Sequence, residues 1–336
     1  MLIVPFDMDS AGDASGFARA LAWVRRAAGG RLRQLAVVAK IEGTATLNDR
    51  SRELASACFR AELERFGGAA LRRRTLEILS VGCEGIITPG GTLFASVASR
   101  RAGASQPSGL VMGHGRSAPV PMHLRGSLQH IAAAERAVRA AMRAAGLSTR
   151  QSAFVLVKSP VRVDSARPTE ASRGAAALGA ALALRELRRS QIRRDSLLRD
   201  ATLHGTRTMA FSGTETDCCE AVVFGHRPGG DPAFRLERAV LADLMDVEAL
   251  ASLARSGTDA VALFLKAGIP KDGRLRGART TVLSSELPAS KQLRAAASGL
   301  AASVFRTTRV FVSGGAEHQA APGACLAAAI IKSGRC

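Results

Sequence analysis

Val312-Ser313-Gly314-Gly315-Ala316-Glu317-His318-Gln319 follows a short apolar run, Arg309-Val310-Phe311-Val312, and precedes a loop of small residues, Ala320 to Ala324. A serine that leaves a strand into two glycines is expected at an exposed tight turn, with bare backbone N–H groups beside it. That is the local chemistry of a nucleophile with its own anion-binding amides. A lone Ser-Gly-Gly is more often an ordinary strand-to-loop turn. Two relatives in the same chain change the reading: Ser80-Val81-Gly82-Cys83-Glu84 and Phe211-Ser212-Gly213-Thr214-Glu215. Each is a small-residue turn closed by a glutamate.

Lysine points to the same repeat. Of 47 basic residues 41 are arginine, and the lysines are Lys40, Lys158, Lys266, Lys271, Lys291 and Lys332. A buried lysine can give up its proton at working pH and an arginine cannot, so a retained lysine is informative. Three of them end β-type runs: Leu35 to Lys40, Ala153 to Lys158 and Ala260 to Lys266. Each is followed by a loop and then an arginine that is read as opening an alanine-rich helix, at Arg52, Arg173 and Arg294. An amphipathic helix precedes each lysine strand, over about Gly16–Ala28, Leu128–Ala145 and Leu241–Ser256. The plan is helix, strand-Lys, loop, Arg-helix, strand-Ser turn, three times. Units of about 100 residues are domain-sized rather than solenoid repeats. Joints rich in Pro, Gly and Ser, at 102–109 and 227–232, separate units spanning 1–103, 108–228 and 234–336. The expected fold class is α/β, with three homologous α/β repeat domains about a pseudo-threefold axis and their Lys, Arg and Ser positions converging at the centre.

Composition narrows the function. The net charge of +19 would ordinarily suggest nucleic acid. The arginines are scattered among alanines, there is no Tyr and one Trp, Trp23, and no basic–aromatic interleaving for stacking bases, so nucleic-acid binding is not expected. No apolar run reaches membrane length and the first residues lack a secretory pattern; the expectation is a cytoplasmic protein without membrane contact. Cys58, Cys83, Cys218, Cys219, Cys325 and Cys336 contain no C-x-x-C pair, and are read as reduced thiols rather than zinc ligands or disulfides.

Serine needs a base, and a neutral lysine can serve. Burial and nearby cations both lower a lysine pKa, and three lysines with three arginines around one cavity would supply them. Arginines and turn amides would hold electron-rich oxygens. Such a site suits a small, planar polycarbonyl ring. Glu84, Glu215 and Glu317 are read as capping amides or neutralising the cluster.

These residues resemble the ring-opening amidohydrolases, the family of cyanuric acid hydrolase and barbiturase. The similar segments are Val312 to Gln319, Phe154 to Pro160, Ser172 to Gly179, Asn48-Asp49 with Arg52, and Asp272-Gly273 with Arg276-Gly277. The resemblance implies a homotetramer of three-domain chains. One active site of Ser-Lys pairs and arginines would open a cyclic amide or imide by serine attack with lysine as base. By position it implies Lys40, Lys158 and Lys266 with Ser80 and Ser313 as catalytic groups. Arg52, Arg173 and Arg294 would hold substrate, with the backbone at Ser80-Val81, Phe211-Ser212 and Ser313-Gly314. Phe211 stands where the family's second-repeat serine, its expected nucleophile, would be. Ser212 is one residue along and faces away in a regular strand. Val81 and Cys83 replace the family's Gly and Thr. No cofactor is required; a structural divalent ion is expected in the family, but Gly268 replaces its glutamate, leaving the carbonyls of Ala316 and Gln319 as candidate donors. Three readings stay open. One is hydrolysis by Ser313 with Lys266 or Ser80 with Lys40. The second is another reaction in the same pocket: ring closure, isomerisation or proton transfer by a lysine. The third is a catalytically silent small-molecule binder.

Overall fold

The computed structural model describes residues 1–98, 107–255 and 260–333. The first unit runs β1 (Leu2–Asp7), α1 (Ser15–Ala28), β2 (Leu32–Ile41), α2 (Ser51–Arg74), β3 (Thr75–Val81) and β4 (Gly90–Val97). The second repeats it with β5 (Ser108–Pro119), α3 (Leu128–Ala145), β6 (Ser152–Pro160), α4 (Pro168–Ala183), β7 (Thr208–Gly213) and β8 (Cys218–Pro228). The third has β9 (Phe234–Leu241), α5 (Val247–Arg255) and β10 (Ala260–Ala267). A small hairpin, β11 (Arg274–Leu275) and β12 (Ala278–Arg279), then precedes α6 (Ala289–Phe305), β13 (Phe311–Gly314) and β14 (Cys325–Lys332).

The three four-stranded sheets share one topology: β1-β4-β2-β3, β5-β8-β6-β7 and, read from its other edge, β9-β14-β10-β13. In each, the lysine strand pairs parallel with the turn strand and antiparallel with the last strand. Strand alternation then sorts the side chains. One face of all three sheets meets in a shared core that includes Val38, Ile78, Phe94, Leu156, Met209, Phe211, Phe224, Phe264 and Phe311. The opposite face takes the helices. There the small residues matter: a Cβ on Gly113 would lie 2.4 Å from the Ala141 carbonyl oxygen, so α3 sits directly on β5. Each lysine lies two residues past a member of the shared core (Val38, Leu156 and Phe264) and so points inward too.

Several expectations need adjusting. Helix α4 begins five residues before Arg173 and α6 five before Arg294. Pro168 is a first-turn residue that proline's fixed φ favours, and Pro288 is the N-cap residue just before α6. Only Arg52 lies in the first turn of its helix. Helix α5 is shorter than read, because Leu241 ends β9 and Asp246 folds back to accept the Ala242 N–H at 3.0 Å. Ser313 is inside β13 and only 6% exposed, not on an open turn. Most of the 102–109 joint, Ser256 and Cys336 lie outside the described residues; the five described cysteines are free. Among the described residues no helix is long and apolar enough to cross a membrane.

Candidate active site

The register fixes which residue faces each lysine. Lys40 pairs with Ser80, Lys266 with Ser313, and Lys158 with Phe211. Phe211 thus takes the place that serine holds in the other two units. Ser212 pairs with Ser159, one step beyond Lys158, and alternation turns its side chain to the other face.

The three lysines are buried, at 2%, 1% and 0% exposure for Lys40, Lys158 and Lys266, so the partners of each Nζ decide its chemistry. Lys40 Nζ lies 3.2 Å from Ser80 Oγ and 3.2 Å from the Val81 carbonyl. Lys266 Nζ lies 3.0 Å from Ser313 Oγ and 2.9 Å from the Ala210 carbonyl of the second unit, over the Phe211 ring at 4.7 Å. Lys158 has no hydroxyl. It donates to the Leu79 carbonyl of the first unit at 2.6 Å and to the Ser212 carbonyl at 3.0 Å, and ion-pairs with Glu215 at 2.6 Å. An ammonium has three donors and no acceptor; two of Lys158's go to these carbonyls, and Glu215 sits beside it as a counter-charge rather than a hydrogen-bond acceptor.

Burial, aided by Arg294 and Arg52, holds Lys40 well below its ordinary 10.5. Burial does the same for Lys266, followed by Arg173, Lys40 and Arg294. Burial also draws Lys158 down, but Glu215 resists, and it stays at about 8. That value has a consequence for stability. Between about 8 and the unfolded value of 10.5 the unfolded chain binds the more protons, so stability rises with pH in that window. Below it the cost of burying the ammonium is present in full. Urea unfolding at about pH 7 and about pH 9.5 should therefore move wild type upward relative to Lys158→Met at the higher pH. An unchanged gap would mean that this lysine is not depressed.

The arginines and glutamates form a cycle. Arg52 of the first unit pairs with Glu215 of the second at 3.1 Å. Arg173 of the second grips Glu317 of the third at 2.8 and 2.7 Å, and Arg294 of the third grips Glu84 of the first at 2.5 and 2.6 Å. The glutamates therefore neutralise the cluster, each from four residues past the lysine's strand partner. Glycine at the intervening position admits them. A Cβ on Gly82 would meet Arg294, one on Gly315 would meet Arg173, and one on Gly213 would meet the stem of Lys158, all within 2.8 Å. Gly82 and Gly213, and Phe311 under Lys40 at 6.0 Å, were not singled out from sequence, and Gly315 was read only as part of a tight turn. The glycines' signal was their shared spacing of two from Ser80, Phe211 and Ser313.

The segment connected with a divalent ion offers little to one. Gly268 has no carboxylate, and a Cβ there would be 2.1 Å from the Ala324 carbonyl. The Ala316 carbonyl accepts the Gln319 N–H at 2.9 Å. A divalent ion of the calcium or magnesium type needs about six hard oxygens, and these residues do not fit one.

A family profile described as "Amidohydrolase ring-opening protein" matches residues 3–332. The chain is 33% identical over 334 residues to a cyclic amide hydrolase of Azorhizobium caulinodans, covering 89% of this chain and 91% of that one. It is 31% identical to a cyanuric acid amidohydrolase of Pseudonocardia dioxanivorans, covering 86% and 87%. A solved cyanuric acid hydrolase superposes with a TM-score of 0.91 at 28% identity, over 99% of both chains. With the repeated sheet topology, these matches show a hydrolytic enzyme, and the chain belongs to the ring-opening amidohydrolase family.

Proposed function

We propose that the protein opens a cyclic amide or imide ring by hydrolysis, with Ser313 as nucleophile and Lys266 as its general base. The observation that supports this reading is the 3.0 Å contact between Ser313 Oγ and a fully buried Lys266 Nζ. A neutral amine has two N–H groups and one lone pair. One N–H reaches the Ala210 carbonyl, which turns the lone pair toward the serine hydroxyl. The hydroxyl proton passes to Nζ as Oγ bonds to the ring carbonyl carbon. The C–N bond then breaks, and Lys266 returns the proton to the leaving nitrogen. Water, deprotonated by the same amine, cleaves the acyl-serine ester and restores the hydroxyl. The Ser313-Gly314 amides are the proposed oxyanion donors. Arg173 uses two N–H groups on Glu317, leaving three of five for substrate carbonyls; Arg294 uses two on Glu84 and one on the Val81 carbonyl, leaving two. Lys40 with Ser80 is the second candidate pair, at 3.2 Å.

This role requires neutral Lys266, so kcat/KM falls as pH drops through its pKa. Arg173 is the strongest charge depressing that pKa, after burial. Removing a nearby cation raises a lysine pKa. Arg173→Gln should therefore move the acidic limb of the pH–rate profile to higher pH, whatever happens to its height. A limb that stays in place would argue against Lys266 as the base.

A further inference from the structure

The three edges of the site are not chemically alike, and the difference constrains the substrate. At the first and third edges a lysine faces a serine hydroxyl. At the second, the register puts Phe211 in that position. Its ring is held by packing: it meets Phe311 edge-on at 5.1 Å, carries Lys266 at 4.7 Å over its face, and is 2% exposed. The lysine of this edge is turned to other partners: it donates to the Leu79 and Ser212 carbonyls and ion-pairs with Glu215 at 2.6 Å. The second edge has therefore lost its hydroxyl, and its lysine is held by a carbonyl of the first unit, the Ser212 carbonyl and a glutamate.

We infer that this edge receives a hydrocarbon edge of the ring, so that the substrate class is a cyclic imide or ureide with two carbonyls toward the two Ser-Lys edges and a methylene or methine toward Phe211. The inference rests on the hydrolytic reading above for its chemistry, but on the asymmetry of the edges for its specificity. A carbonyl oxygen placed against Phe211 would leave water without gaining a donor there, which is the arrangement that discriminates most strongly between ligands. A C–H edge gives up no hydrogen bond and gains contact with the ring. The retained Glu215 fits the same picture. Without a hydroxyl at Phe211 the lysine is met by a counter-charge instead, and Glu215 supplies it by ion-pairing with both Lys158 and Arg52.

The test is a calorimetric binding series on the full chain with glutarimide, dihydrouracil and cyanuric acid, with mass spectrometry for ring-opened product. The two hydrocarbon-edged rings are expected to bind at least about tenfold tighter than cyanuric acid. Phe211→Ser should narrow that ratio by improving cyanuric acid. Equal or tighter binding of cyanuric acid by the wild-type protein would overturn the inference without any variant. So would a Phe211→Ser protein, folded by circular dichroism, that changes all three ligands equally. Preferential binding without ring opening would sink the hydrolytic reading and uphold the edge preference. Ring opening with cyanuric acid preferred would do the reverse, and binding of none of the three would refute both.

Discussion

Ser313→Ala is expected to lower kcat/KM for ring opening by at least about a thousandfold, and Ser80→Ala by far less. The two serines have similar lysine contacts, so the expectation rests on what surrounds them. Lys266 is 0% exposed, and after burial Arg173 does most to lower its pKa, with Lys40 and Arg294 adding to it and Glu317 opposing. Lys40 has two cations lowering its own, Arg294 and Arg52. Ser313 is followed by Gly314, which has no side chain of its own, and by Gly315, whose N–H donates to the Ala267 carbonyl at 2.9 Å, whereas Ser80 is followed by Val81, whose carbonyl is engaged by Lys40. Lys266→Met should be as damaging as Ser313→Ala, and the double variant no worse than either, because a nucleophile and its base fail as a unit. A covalent adduct trapped on a peptide containing residue 313 would identify the acyl-serine directly. Loss of activity in Ser80→Ala with retention in Ser313→Ala would transfer the chemistry to the first unit.

The repeat was legible because its signals are local. Strand alternation, a rare lysine at a strand end and a small-residue turn with a glutamate each occupy a few residues, and three copies in one order imply three similar sheets. Phe211 was legible through the resemblance, since aligning the second turn on Glu215 puts it where the family's serine would stand. What the sequence could not carry is whatever crosses between units. Ser313 was expected to be exposed. Its turn is instead closed in by Arg173, which arrives from the second unit to grip Glu317, and by the start of α6, where Ser290 lies against Gly314. The glutamates could be placed but not partnered, because each arginine comes from a neighbouring unit more than a hundred residues away. The hold on Lys158 likewise depends on Leu79, a residue of the first unit whose carbonyl no pattern marks.

The second large effect is on stability, and it separates one arginine from the other two. Arg173→Ala is expected to destabilise the protein by about 3–5 kcal/mol, because it leaves Glu317 charged and without its cation in a poorly solvated junction. The side chains of that pair are only 13% and 15% exposed. Arg294→Ala should behave alike, since it releases Glu84 from the corresponding two-pronged grip. Arg52→Ala should cost clearly less. Glu215 would keep Lys158 at 2.6 Å, so its charge stays compensated, and the substitution removes a single ion pair at 3.1 Å. Urea midpoints of the three alanine variants, measured at one pH near neutrality, check the order. Replacing Arg173 and Glu317 together by apolar residues of similar size should recover much of the loss, because no isolated charge remains. Three equal effects would mean that Lys158 does not hold Glu215. The asymmetry would then be confined to Phe211, and the second edge would keep a lysine N–H free for a substrate carbonyl.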